Sequence, residues 1–350
     1  MRRRLLGIAP METTFARRGF TAVSREAQEH LENVGYHFVE GYHHALQTGD
    51  DCALQAELAS SSRDYRGFAY EGAAMALGLV DGLSFSRTRL RAFVEGPGQP
   101  HIYMVHVGLG WAAARLPWLR RELLRGQERV RDPLLRWLQV DGLGFHQGFF
   151  HPQHYVHSPT PPTPYTGYTQ RAFDQGLGRS LWFVFGCHPQ QVLDCIAKFP
   201  RTRRPDLFAG VGLACTYAGG SSPNHLEDLC RRAGSYFPHL AQGSVFAAAA
   251  RSRAGLANAH TLAACRLICR LTPDRAADLA HRTQLDLSPE TSPPSDPRAL
   301  THWRPAYEQW RCHIRNSFPA LSQSLDDVDH SAHVASSFDT RRPCDALIDP

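Results

Sequence analysis

A mostly α-helical protein, a helical bundle of two pseudo-repeated halves, is what the sequence predicts, on three observations. Apolar residues recur at spacings of three and four in one stretch; other stretches are apolar on nearly every face; and the same order of stretches appears before and after a proline-rich segment. Leu31 to Leu46 (LENVGYHFVEGYHHAL) places Leu31, Val34, Phe38, Tyr42 and Ala45 on one side of an amphipathic helix. Tyr65 to Val80 is apolar all round, as expected of a helix inside a bundle, and its Gly67, Gly72 and Gly78 point to close approach of a neighbour. Further helices are expected over Ile102 to Arg115 and Asp132 to Phe150. The prolines of HSPTPPTPYTG, 157–167, then read as a linker.

The second half echoes the first. FDQGLGRSLWFVFG resembles FVEGYHHAL, PDLFAGVGLACTYAGG resembles YRGFAYEGAAMALGLVDG, and YFPHLAQGSVFAAAARSRAG resembles IYMVHVGLGWAAARLPWLRR. A polar residue before glycine recurs at Glu40-Gly41, Glu71-Gly72, Gln147-Gly148, Gln175-Gly176 and Gln242-Gly243. The expected organisation is one helical unit over 1–287, with halves at about 30–156 and 168–287, and a largely disordered extension over 288–350. A site would fall between the halves.

With 350 residues, 43% hydrophobic and 20% charged, the chain can bury a large core. The net charge of +5 rests almost wholly on scattered arginines, Lys198 being the one lysine, and no basic stripe with interleaved aromatics marks a nucleic-acid partner. Nine cysteines without a CxxC pair read as reduced thiols of a cytosolic protein. The opening MRRRLLGIAP has too short an apolar run for a secretory signal or a membrane anchor.

Glu71 is the sharpest chemical feature, a carboxylate in the middle of an apolar helix. Burial would raise its pKa and suit it to general acid or base work; the alternative is a structural ion pair with Arg179 or a histidine of a facing helix. His37, Glu40 and His44 share the face opposite the apolar stripe, a face that is usually just solvated, and are candidate site residues after Glu71. Glu40 and His43 also have the ExxH spacing of carboxylate-bridged di-iron bundles, but a second ExxH is missing. HQGFFHPQHYVH carries four histidines, which read as solvent-facing loop residues rather than a metal site. Asp174 and Arg179 lie in a largely apolar helix, where each should pair or bind a charged group. No Walker loop, GxSxG elbow or dinucleotide fingerprint is present, so the sequence names no cofactor and no metal.

GIAPMETTFARRGF, YRGFAYEGAAMAL, YMVHVGLGWAAARL, DPLLRWLQVDGLGFHQGFF, FDQGLGRSLWFV, GVGLACTYAGG and LAQGSVFAAAARSRAG together resemble the UnbL-type family, a domain of unknown function encoded beside enediyne polyketide synthases. The likeness spans roughly Met1 to His281. It implies an accessory protein of secondary metabolism that meets a hydrophobic linear polyene after the synthase. It also implies an RnfD-like membrane protein and a UnbV-type repeat protein as partners, and a cytoplasmic location, peripheral to the inner membrane through a partner. No catalytic motif comes with it. Two expectations follow: an enzyme or enzyme subunit with Glu71 as acid or base, or a non-catalytic polyene carrier or scaffold that docks to the membrane redox partner.

Overall fold

In chain order the helices are α1 (Arg2–Leu6), α2 (Phe15–Arg18), α3 (Arg25–Gln47), α4 (Asp51–Ser60), α5 (Arg66–Leu83), α6 (Arg89–Glu95), α7 (Ile102–Arg115), α8 (Pro117–Leu124) and α9 (Arg136–Phe150). They continue as α10 (Pro152–Tyr155), α11 (Gly167–Val184), α12 (Pro189–Ile196), α13 (Arg204–Tyr217), α14 (Pro223–Ala233), α15 (Phe237–Arg253), α16 (Ala259–Ile268), α17 (Pro273–Leu285) and α18 (Ala306–Arg315). The computed structural model describes residues 2–84, 88–158, 165–287 and 305–319, and no strand occurs among them. The mostly α-helical class therefore holds.

Long and short helices alternate from α3 to α16. The long ones, α3, α5, α7, α9, α11, α13 and α15, each pack on the next and run parallel, because every return passes through a short helix. Short helices bury one stripe only, as Leu226, Leu229, Cys230 and Ala233 of α14 do. Their starts are fixed locally: Ser222 caps α14, Asp50 caps α4, and proline occupies the first turn of α8, α12, α14 and α17. Helix α9 begins at Arg136 rather than Asp132, because Pro133 follows and the Asp132 carboxylate accepts the Leu134 and Leu135 N–H groups, both at 2.9 Å.

Glycines set the helix spacing. Pairs at 108 and 110, 142 and 144, 176 and 178, and 210 and 212 recur every 34 residues, one pair on each of α7, α9, α11 and α13. The first of each pair faces back and the second forward: a Cβ on Gly142 would lie 2.1 Å from the Val107 carbonyl oxygen, and one on Gly144 2.1 Å from that of Phe173. Backbone thus rests on backbone, and the cost of glycine within a helix is offset by this approach. The segments that resemble one another in sequence, α3 with α11, α5 with α13 and α7 with α15, stand four units apart on this shorter period. Helix α9 carries the same period up to the 157–167 stretch, of which 159–164 lie outside the described residues.

The array closes on itself. His30 of α3 reaches the Ala218 carbonyl at 2.6 Å, Tyr217 of α13 sits against Gly67 of α5, and Arg251 of α15 donates to the Asp64 carbonyl at 3.0 Å. Residues 305–319 fall in the stretch assigned to an extension, yet α18 is buried against α15 and α17, with Tyr307, Trp310, Arg311 and Ile314 at 0 to 2% exposure. Trp310 Nε1 donates to the Ala280 carbonyl at 2.8 Å. No helix among the described residues is long and apolar enough to cross a membrane.

Candidate functional site

The residue before the back-facing glycine occupies one register position in every unit, and it points to the centre of the array. At four of these positions it is polar and buried: Glu71 on α5, Asp141 on α9, Gln175 on α11 and Gln242 on α15. Three of the five polar-Gly dipeptides, Glu71-Gly72, Gln175-Gly176 and Gln242-Gly243, lie in this register, and Asp141-Gly142 joins them. Glu40-Gly41 and Gln147-Gly148 share the dipeptide but not the position.

Glu71 is 2% exposed. Burial pushes its carboxyl up to about 7, Arg179 opposes that rise, and Asp141 adds to it. The indole N–H of Trp111, a buried donor with no other acceptor, faces the carboxyl and favours its charged form. Arg179 makes its direct ion pair with Asp141 rather than Glu71, and lies over the Phe145 ring at 5.0 Å. One guanidinium thus serves two carboxyl groups; the one without the direct contact holds its proton near neutral pH. Gln175 continues the network, donating to Asp141 at 2.9 Å and to the Tyr307 hydroxyl of α18 at 3.0 Å.

Arg179 and Tyr217 also line a small apolar cavity with Val107, Leu138, Phe246 and Trp310. The Tyr217 hydroxyl has no hydrogen-bond partner there, and burial pushes it up to about 12. Its volume of about 30 Å³ holds a water or two. Glu71 stands behind this lining and reaches it through the fields of Arg179 and Tyr217.

The other predicted residues go elsewhere. Asp174 is bonded by Arg203 and by Gln170 at 2.9 Å, so it and Arg179 have separate partners; burial still pushes it up to about 6. His37 stacks on Tyr65 at 4.6 Å, Glu40 accepts from Tyr36 at 2.8 Å, and His44 lies 3.8 Å from Glu57, so this half-buried face does not converge on a site. His43 instead accepts the Ile8 N–H at 3.3 Å. Among the histidines of HQGFFHPQHYVH, His146 is not a loop residue: it is buried in α9 beside Trp111, and burial pulls it down to about 3. No group of three or more His, Cys, Asp or Glu side chains among the described residues is arranged to hold a metal ion.

A second charged cluster escaped the sequence reading altogether. Arg311 of α18, fully buried, donates to Asp206 at 2.6 Å, Gln242 at 3.0 Å, Glu308 at 3.3 Å and Tyr168 at 3.3 Å, while Arg171 bridges Asp206 and Glu308. Gln242 therefore ties this cluster to the central register.

These features define a class: a closed array of parallel helices around a buried acid–arginine centre. The chain belongs to the family described as protein of unknown function (DUF1702), whose pattern matches residues 1–318 and so takes in α18. No curated protein and no solved structure matches it.

Linkage gives a direct check on Glu71. A carboxyl with its folded pKa raised to about 7 holds its proton more tightly in the native state than in the unfolded chain. Its contribution is complete below its ordinary range and is lost as pH rises through about 7. Relative to wild type, Glu71→Gln should therefore gain stability with rising pH, by about 3 kcal/mol across the window, and then level off. Asp174 titrates nearby in both proteins and cancels in the difference. Parallel melting curves from acid to mildly basic pH would mean that Glu71 is ordinary.

Proposed function

We propose that this chain is an accessory protein of enediyne-type polyketide biosynthesis that takes a hydrophobic linear polyene into its helical array and uses Glu71 as the acid or base. The pathway rests on the motif string quoted above. The chemistry rests on one observation: a carboxyl with a pKa near 7 stands behind Arg179 and Tyr217, the polar groups of an aromatic-lined apolar cavity. Glu71 is not part of the lining, so either role needs Arg179 and Tyr217 to give way to the substrate: as the acid, Glu71 then gives its proton to a substrate carbon or oxygen and remains as a carboxylate beside Arg179, and as the base it takes one and becomes neutral.

Room is the constraint on this reading. Ligand sites usually offer about 300–1,000 Å³, far more than this cavity. Tyr307 and Trp310 of α18 form part of its lining, so the polyene enters where they now stand. The small volume favours a second reading as well, a carrier that holds one end of the polyene and passes it on without chemistry. An RnfD-like membrane protein and a UnbV-type protein are the partners in either case, met at the cytoplasmic side of the inner membrane.

Complementation of a strain lacking the gene with Glu71→Gln separates the readings. Loss of product with accumulation of linear polyene, at an unchanged level of soluble protein, is the expected result. Full product from the Gln variant would leave Glu71 a structural group and transfer the case to the carrier.

A further inference from the structure

We infer that the end of the array where α3, α5 and α7 terminate is a docking surface for an anionic lipid bilayer, which the chain engages directly, whatever Glu71 does. Helix α1 lies along the last turn of α3, so Arg2, Arg3 and Arg4 form one groove with Leu46, Gln47 and Gly49. Helix α5 ends alongside at Leu83. Helix α8 begins just past the end of α7, and its Trp118 Nε1 donates to the Gly82 carbonyl at 3.1 Å.

What this end exposes is unusual for the rest of the surface. Leu5 is 74% exposed, Leu83 52% and Trp118 37%, three of the few large apolar side chains that stand in water. Around them the side chains of Arg2, Arg3 and Arg4 are exposed without a hydrogen bond or ion pair among the described residues, as are those of Arg121, one turn beyond Trp118 on α8, and Arg125, just past the end of that helix. The acidic groups of this end are already engaged: Asp81 is buried and accepts the Leu90 N–H, Asp51 faces Arg89, Glu122 pairs with Arg129, and Asp50 caps α4. Among the groups named at this end, seven arginines (Arg2, Arg3, Arg4, Arg89, Arg121, Arg125 and Arg129) stand against four carboxylates.

Aliphatic side chains and an indole set among unpaired arginines match the layered chemistry of a bilayer surface, with anionic headgroups outside and acyl chains beneath. Nucleic acid offers the anions but no apolar layer for Leu5 and Leu83. Each arginine near such a surface counts for roughly a factor of five in partitioning, and the apolar contacts resist salt.

The test is co-sedimentation of the full chain with vesicles of phosphatidylcholine alone or with added phosphatidylglycerol. Binding is expected only to the anionic vesicles, reduced on the order of 100-fold by Arg2→Gln, Arg3→Gln and Arg4→Gln together. Leu5→Ser with Leu83→Ser should abolish the part that persists in high salt. Vesicles should shift the tryptophan emission to the blue in wild type and not in Trp118→Phe, a readout that intact folding alone does not move. Absence of binding to anionic vesicles, equal binding by the arginine variant, or displacement of the vesicles by duplex DNA overturns the proposal.

Discussion

Gly176→Ala is expected to leave almost no folded protein. A Cβ at this position would lie 1.8 Å from the Asp141 carbonyl oxygen and 2.8 Å from the Phe145 nitrogen, and backbone atoms within a helix cannot step aside as a side-chain end can. Helices α9 and α11 would have to separate along their length, opening the contact that holds Asp141 against Arg179. In an open helix the same change would stabilise by about 1 kcal/mol, so the sign of the effect identifies its cause. The expected loss is about 4 kcal/mol or more, in the range reserved for severe core disruption. Gly49→Ala is the control: nothing lies within 4 Å of its Cβ position, and it should be neutral or slightly stabilising. Soluble yield and melting temperature of both variants decide the matter, and a Gly176→Ala protein that melts within a degree or two of wild type would remove the close-packed spacing as the basis of the fold.

The same glycines explain what was legible in the sequence. Apolar stretches too rich in small residues to stand alone as helices read as buried helices, and the one expected at about Ile102 to Arg115 is α7. The period of 34 is harder to see, because the glycine pair occurs on only α7, α9, α11 and α13 while the side chains around it change. Similarity is then strongest between units whose polar residues happen to agree, Glu40 with Gln175 for instance, which suggests two halves before it suggests a smaller step. Glu71 stood out because nothing charged surrounds it in the sequence. Asp141, its counterpart two units on, was masked by the arginines and histidines of the same stretch.

Helix α18 was masked for a different reason. In YEQWRCHIR the charges outnumber the aliphatic residues, a composition that normally faces water. Here Arg311 finds partners on α13 and α15 and Glu308 on α11, while Arg315 pairs with Glu308 within the helix, and the pairing between helices is invisible until the chain folds. Likewise His37, Glu40 and His44 satisfied the spacing for a shared face, but spacing says nothing of what the face meets. It meets Tyr65 and α4, and each side chain finds a separate partner.

Asp206→Asn should damage this cluster more than loss of any one arginine. Three guanidinium groups, Arg171, Arg311 and Arg315, surround two carboxylates, Asp206 and Glu308. Burial alone would raise the Asp206 pKa, but Arg171 and Arg311 outweigh it and hold the carboxyl below its usual range. Taking away that charge leaves three cations, Arg311 fully buried among them, against one anion, and arginine cannot shed its proton to escape. A loss of about 3–5 kcal/mol is expected. Removing Arg311 as Arg311→Met leaves two cations and two anions, so it should cost less, and the double variant should be more stable than Asp206→Asn alone. A coupling of that sign in a double-mutant cycle is the signature of charge balance rather than of lost packing. Hydrogen exchange should place the damage: protection over 306–315 falls first in Asp206→Asn, while α9 and α11 stay protected. Because Tyr307 and Trp310 ride on α18 and line the cavity, the same variant should also admit an apolar dye that wild type excludes. If α18 stays protected and the dye stays out, the cluster fixes α13 to α11 and has no hold on the cavity.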